Sequence, residues 1–277
     1  MRGPLQPERI PEALELAWQL LDNGELDEAQ KIVGKVLIAG PKGEDAIDAY
    51  HLRGELLLER WKPREALLSL DTAAKGMPGD AHILAAKGDA LFMLWQFDKA
   101  KQAHEAALRA DTRHARAHRG MALALDRLGK HRIAAMHFER ASDLEPGVYA
   151  VPPRLARPVF DRHARDAIDA LPDEVKERLG PIGFLVADYP ALAMIAEQPE
   201  EADPETLGLF FGEEIPARYE ERGLRFVPNH IHLFQRNLEN ISVDEDDLEE
   251  EIRTTVYHEV GHYLGYDEEG LDEIGLA

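Results

Sequence analysis

The stretch from Gly88 to Ala107, GDALFMLWQFDKAKQAHEAA, is one copy of a pattern that returns every 34 residues. Gly88 is matched by Gly54 and Ala122, and Leu91 by Leu57 and Leu125. Ala100 is matched by Ala66 and Ala134, and Ala107 by Ala73 and Ala141. Pro78, Thr112 and Pro146 form a further set at the same spacing. Small residues at fixed offsets let two antiparallel helices pack closely, large apolar ones fill the space between copies, and the proline set marks the turn into the next copy. Several independent positions share one period, so the signal is specific.

These residues resemble the tetratricopeptide repeat family, with copies at 47–80, 81–114 and 115–147. A divergent copy over 10–46 carries Ala17, Leu20, Gly24, Ala29 and Val36 near the right offsets, with three extra residues expected in the Gly40–Glu44 connection. A terminal copy is commonly atypical because it caps the stack. The resemblance implies a groove that binds a peptide or protein partner, self-association included; the plainer alternative is that the repeats only dimerise the protein or cover the second domain. His104, His114, His118, His131 and His137 fall in the last two copies and read as groove or surface residues rather than metal ligands.

After Pro146-Gly147 the sequence Val151-Pro152-Pro153-Arg154-Leu155-Ala156-Arg157-Pro158 stops helix formation and stiffens the chain. The expected division is a repeat domain at 1–147, a Pro-rich linker at 148–158 and a second domain at 159–277. Charge supports it. Residues 1–150 hold 21 Lys and Arg against 23 Asp and Glu, whereas residues 151–277 hold 11 against 30, so nearly all of the net charge of −21 lies in the second half. Such a field repels polyanions and argues against nucleic acid. It suits metal cations and cationic partners, or simply solubility. The chain has no cysteine, so any transition-metal site must use His and carboxylate. A cytoplasmic location is expected from that composition, from an N-terminus without signal-peptide features, and from the lack of any apolar run of about 20 residues that could span a membrane.

In the second half, helices are expected at Phe160–Leu171 and 173–179, and strands at Ile182–Ala187 and Ile231–Phe234. The last helix is expected to run from a Ser242 cap, with Glu245 as capping-box partner, to a stop at Gly265. It contains His258-Glu259-Val260-Gly261-His262. Residues four apart share a helix face, so His258 and His262 can offer two imidazoles to one metal ion with Glu259 beside them. The five-residue pattern is weak alone. The helical context, the glycine and the acids that follow it strengthen the reading.

Residues 159–277 resemble the small zincin-like metallopeptidases of bacteria, the minimal zincins. The resemblance rests on Leu207-Gly208-Leu209-Phe210-Phe211-Gly212, on the Pro228–Phe234 strand, on Arg253–Gly265 and on Leu271-Asp272-Glu273-Ile274-Gly275. It implies a multidomain chain in which all-α repeats precede a small α+β unit. It also implies one Zn²⁺ ion bound by His258 and His262 at about 2.0–2.1 Å, with Glu259 as general base for a metal-activated water that attacks a peptide bond. Glu268 departs from both a metzincin-type third His and the Asp common in these relatives. With only 15 residues after His262, a Glu on a later helix is not expected. Glu268 is therefore the favoured third ligand and Asp267 the runner-up, with Asp272 or water remaining. His230 and His232 share one strand face with Phe234; they could line the cleft and stabilise the oxyanion, but a surface or supporting position is favoured, since the related proteins do not usually have histidine there. Tyr219, Tyr257 and Tyr263 are unranked hydroxyl donors. The competing reading is a non-catalytic interaction scaffold with a structural or vestigial metal. A homo-oligomer is among the partners considered.

Overall fold

The computed structural model describes residues 6–179, 182–196, 202–211 and 229–264. Its contacts divide the chain into two compact units. One holds Met1–Ala150 together with Ile195–Pro204, and the other holds Val151–Met194 together with Glu205–Ala277.

The first unit is a series of helical hairpins. They are α1 (Ile10–Asp22) with α2 (Leu26–Ile38), α3 (Glu44–Glu59) with α4 (Pro63–Gly76), α5 (Ala81–Met93) with α6 (Phe97–Ala110), and α7 (Ala115–Arg127) with α8 (His131–Leu144). The alanines at the repeat offsets are buried, as are Leu57, Leu91 and Leu125. One large side chain from the second helix of each of the last three hairpins fills the space beneath the first: Leu70, then His104, then Phe138, at intervals of 34. A Cβ on Gly54 would fall 2.5 Å from Leu70. A Cβ on Gly88 or Gly120 would strike the His104 ring. His104 is thus a fully buried packing residue and not the groove or surface residue that composition suggested.

Each hairpin turns through one residue in the left-handed region: Gly24, Trp61, Trp95 and Gly129, with φ of 77°, 53°, 61° and 71°. The amides after and at this residue bond back into the helix, as in Lys62 N to Leu57 O at 2.8 Å and Trp61 N to Leu58 O at 2.9 Å. This is the Schellman pattern, which usually places Gly at the turn residue. Tryptophan there carries about 1–2 kcal/mol of strain that glycine does not.

The first helices of the hairpins also carry an ion network. Arg116 grips Glu55 with two nitrogens at 2.9 and 3.0 Å and reaches Asp89 with Nε at 2.7 Å. His51 lies 3.3 Å from the same Glu55. Burial pushes the Glu55 carboxyl up, but the His51 hydrogen bond and the Arg116 charge outweigh it and bring it down to about 2.

Among the described residues, the second unit builds a three-stranded sheet, ordered β1 (Ile182–Ala187), β3 (Asn229–Phe234), β2 (Gly208–Phe211). β1 runs parallel to β3, with Ile182 opposite Asn229, and β2 runs antiparallel to it, with Gly208 opposite Leu233. The helices are α9 (Arg157–Asp169), α10 (Asp173–Leu179), the single turn α11 (Leu192–Ile195), α12 (Gln235–Ile241) and α13 (Glu245–Tyr263). Helix α9 begins three residues before the Phe160 start read from the sequence, because Pro158 is tolerated in a first helical turn. Phe160, Ala164 and Ile168 of α9 meet Ile231 and Leu233 of β3 and Leu248, Ile252, Val256 and Val260 of α13 in one core.

Two local features differ from the sequence reading. A short helix, α12, occupies 235–241, so Ser242 becomes its extended C-cap and donates Oγ to Leu238 O at 2.8 Å. The cap of α13 moves to Asp244, whose Oδ1 accepts from Asp247 N, while Asp247 accepts in return from Val243 N. The N-cap is thus an aspartate two residues later than expected, and Asp247 reaches past it to the N–H of the preceding residue, a variation on the capping box. The Pro-rich stretch is docked rather than loose: Arg154 reaches Glu239 at 2.9 Å and Asn240 at 2.8 Å, and Leu155 N donates to Glu239 at 3.0 Å. Gln235 closes this arrangement around the buried Glu239 carboxylate at 2.7 Å.

Candidate metal centre and active site

The candidate site is built by α13 and β2. Helix α13 is continuous from Glu245 through Tyr263, and Leu264 N still donates to Val260 O at 3.1 Å. Backbone positions 258 and 262 are therefore one turn apart on an unbroken helix, with a rise of about 6 Å between them. The helix is held by its buried stripe, Leu248, Ile252, Val256 and Val260, and by Thr255, which is also buried. His258 lies beside the stripe and is half-buried. His262 lies in the helix, and its side chain is outside the described set, as are Gly265, Asp267, Glu268, Asp272 and Tyr219. Among the described residues, no group of three or more His, Asp or Glu is gathered for a metal ion.

Strand β2 lies against the same helix. Phe210 N donates to Glu259 Oε2 at 2.9 Å. The direction of that amide follows from the ladder. Phe234 N donates to Leu207 O, so in an antiparallel pair the amides of 208 and 210 turn away from β3. Gly208 permits the approach. A Cβ there would meet Thr255 Cγ2 at 2.6 Å, Glu259 Cγ at 3.3 Å and the His232 carbonyl at 3.3 Å. Sequence reasoning quoted Gly208 and Phe210 as part of a segment but gave neither a role. A backbone N–H leaves no side-chain signal, and only the glycine hints at a close approach.

His230 and His232 fall on the sheet face opposite Ile231 and Leu233, the two β3 side chains in the core. There His230 stacks on Phe211 with ring centroids 5.6 Å apart, and His232 meets the same ring at a tilt, 4.7 Å away. Burial and the neighbouring His230 hold His232 below the ordinary histidine range.

Residues 179–276 match the family of zincin-like metallopeptidases. The match covers the segment that holds α13, β2 and every proposed ligand. No curated protein matches the chain. Solved structures resemble the repeat half. The chain is similar to YrrB, a TPR protein with an unusual peptide-binding site, at 20% identity and a TM-score of 0.42, over 50% of this chain and 70% of that one. It is similar to MamA at 22% identity and a TM-score of 0.43, over 52% of this chain and 76% of the other. A MamA fragment from Desulfovibrio magneticus RS-1 gives 24% and 0.43, over 52% and 77%.

The donor set suits the ion that the family implies. An uninterrupted helix presents its two histidine positions in one line, the chain has no thiolate to compete, and the carboxylate between them is held to the neighbouring strand. No helix among the described residues is long and apolar enough to cross a membrane.

Proposed function

We propose that this chain is a zinc-dependent metallopeptidase whose repeats recruit a protein substrate or partner, working in the cytoplasm. The observation that carries the reading is the placement of Glu259. It follows His258 on the metal helix and is tied at 2.9 Å to the edge strand of a unit matching zincin-like metallopeptidases.

His258 and His262 would hold the ion through imidazole nitrogen, with Glu268 as the favoured acid and Asp267 the runner-up. A zinc ion held there would supply Lewis acidity toward a scissile carbonyl and a bound water. Glu259 does not ligate. Its carboxylate takes the proton from attacking water and passes it to the leaving amine. The Phe210 amide restrains that carboxylate, so the base is oriented before substrate arrives. The acidic second half favours cationic metal and opposes polyanionic substrates.

Metal content tests the site. Purified wild type should carry about one zinc per chain by plasma mass spectrometry, and the His258→Ala/His262→Ala protein almost none. Equal, low zinc in both proteins would contradict the assignment.

A further inference from the structure

Within the repeats, the junction between the first and second hairpins is built differently from the one that follows it. Between the second and third hairpins, Lys87 of α5 meets Asp71 of α4, Nζ to Oδ1 at 2.7 Å. The acid stands five residues after the repeat alanine Ala66, and the lysine stands one residue before the repeat glycine Gly88. An acid recurs at the same offset as Glu105 after Ala100 and as Glu139 after Ala134. In the first hairpin the residue five after Ala29 is Gly34, and the residue before Gly54 is Arg53. The first junction thus keeps the cation and lacks the carboxylate that would meet it.

The place of that carboxylate is open. A Cβ on Gly34 would have no neighbouring atom within 4 Å. Gly34 and Arg53 line one cavity of about 390 Å³. That volume falls within the roughly 300–1,000 Å³ of ligand pockets. The lining is partly aliphatic: Val33 and Leu56 are each 2% exposed, whereas Ile38 is 87% exposed. Covering an aliphatic side chain left so fully in water is favourable.

The charge around the cavity is positive. Arg53, Arg60 and Lys62 line it with one acid, Glu65. In a chain of net charge −21 this is the reverse of the prevailing sign. Among the described residues, neither Arg53 nor Lys62 has an ion pair. Arg60 turns one nitrogen to Asp27, and its buried Nε has no hydrogen-bond partner among the described residues. A buried donor without an acceptor is costly, and an anion entering the cavity would supply one. Neither Arg116 nor Glu55 lines this cavity, so it is separate from the ion network of the first helices.

We propose that this cavity is a docking site for an acidic segment of a protein partner. The segment offers an Asp or Glu carboxylate to Arg53, as Asp71 does to Lys87 at the next junction, and lays an aliphatic neighbour against Ile38 and the buried lining. The occupant is a protein segment because what the junction lacks is a protein side chain, the one that a neighbouring helix supplies one period on. The inference rests on the partner-binding part of the reading proposed above and is independent of the metal site.

Fluorescence polarisation of the full chain tests it, with a short labelled and amidated peptide centred on Leu-Glu-Leu. The matching Leu-Gln-Leu peptide keeps the shape and loses the charge, and should bind at least about tenfold more weakly. Gly34→Asp restores the acid found at the next junction. It should fold at least as well as wild type, because the side chain has room and glycine weakens a helix, and it should lose about tenfold or more in affinity for the Glu peptide. Arg53→Gln should lose as much, and it decides the matter if Gly34→Asp fails to fold. Lys87→Gln should bind as wild type does. The His258→Ala/His262→Ala protein should also bind as wild type, so a failed zinc assignment leaves this inference standing. Equal binding of the Glu and Gln peptides overturns it, as does wild-type affinity in Gly34→Asp and Arg53→Gln. Binding of free N-acetyl-leucine with none of the peptide would overturn the choice of a protein partner. A partner held by the repeats with wild-type affinity in Arg53→Gln would keep recruitment and remove this site.

Discussion

The backbone amide of Phe210 donates to Glu259 Oε2 at 2.9 Å, across the place where Gly208 lets β2 press on α13. One glycine thus controls how closely the edge strand approaches the proposed base. Gly208→Ala would put a methyl 2.6 Å from Cγ2 of the buried Thr255. The strand must lift, at a cost of about 1–3 kcal/mol typical of overpacking. Gly208→Val should cost more than Gly208→Ala. Thermal melts would show the order, and peptide cleavage should fall further than stability does, because Glu259 loses its restraint.

The Arg116 network predicts a second effect, confined to the repeats. Glu55 keeps a 10% exposed side chain and depends on Arg116 and His51 for its charge. Arg116→Met leaves that carboxylate without its guanidinium and should destabilise the repeats by about 3 kcal/mol in urea denaturation. Adding Glu55→Gln should recover part of the loss, since it removes the stranded charge.

Acid should weaken the same unit in two stages. Burial holds His104, His114, His118 and His137 below the ordinary histidine range, so the folded state keeps them neutral. Their unfolded counterparts take up protons as pH falls through the ordinary histidine value of 6.5, so stability is full above that pH and declines below it. Glu55 has the usual carboxylate sign. Its contribution is present above 4.5 and is lost as pH falls toward about 2. Urea midpoints at pH 7.5, 5.5 and 3.5 should therefore fall at both steps. His104→Leu, which copies Leu70 one period earlier, should flatten the first step and leave the second.

The third ligand is open to direct ranking. Glu268→Ala should lower zinc affinity by tenfold or more, and Asp267→Ala should lower it little. A competition titration with a chromogenic chelator reads both. The reverse order would transfer the ligand to Asp267.

Much of this was legible in the sequence where one physical rule governed many residues. The 34-residue period survives because each copy meets the same neighbours, so small residues recur at the close crossings. The stripe of α13 survives for the same reason, and its His pair is fixed by helical spacing alone. What was not legible depended on single contacts. The helix cap moved from Ser242 to Asp244 because α12, a seven-residue helix, needed Ser242 as its own end. His104 looked like a surface histidine because nothing in its identity shows that Gly88 and Gly120 enclose it. The hydrogen bond from Trp95 Nε1 to Ala202 O joins residues 107 apart through a backbone carbonyl, which leaves no sequence pattern. The role of Phe210 is likewise carried by an amide that every non-proline residue has.

The account's central claim is that Glu259 is the base of a zinc peptidase, and one paired measurement tests it most directly. Zinc content and cleavage of a peptide library should be measured on the same samples of wild type and Glu259→Gln. The account predicts about one zinc in each protein and a rate lower by about 10²–10⁴-fold in the variant, the range of general acid–base catalysis. A Glu259→Gln protein that cleaves as fast as wild type, or a zinc-loaded wild type that cleaves nothing in the library, would contradict it.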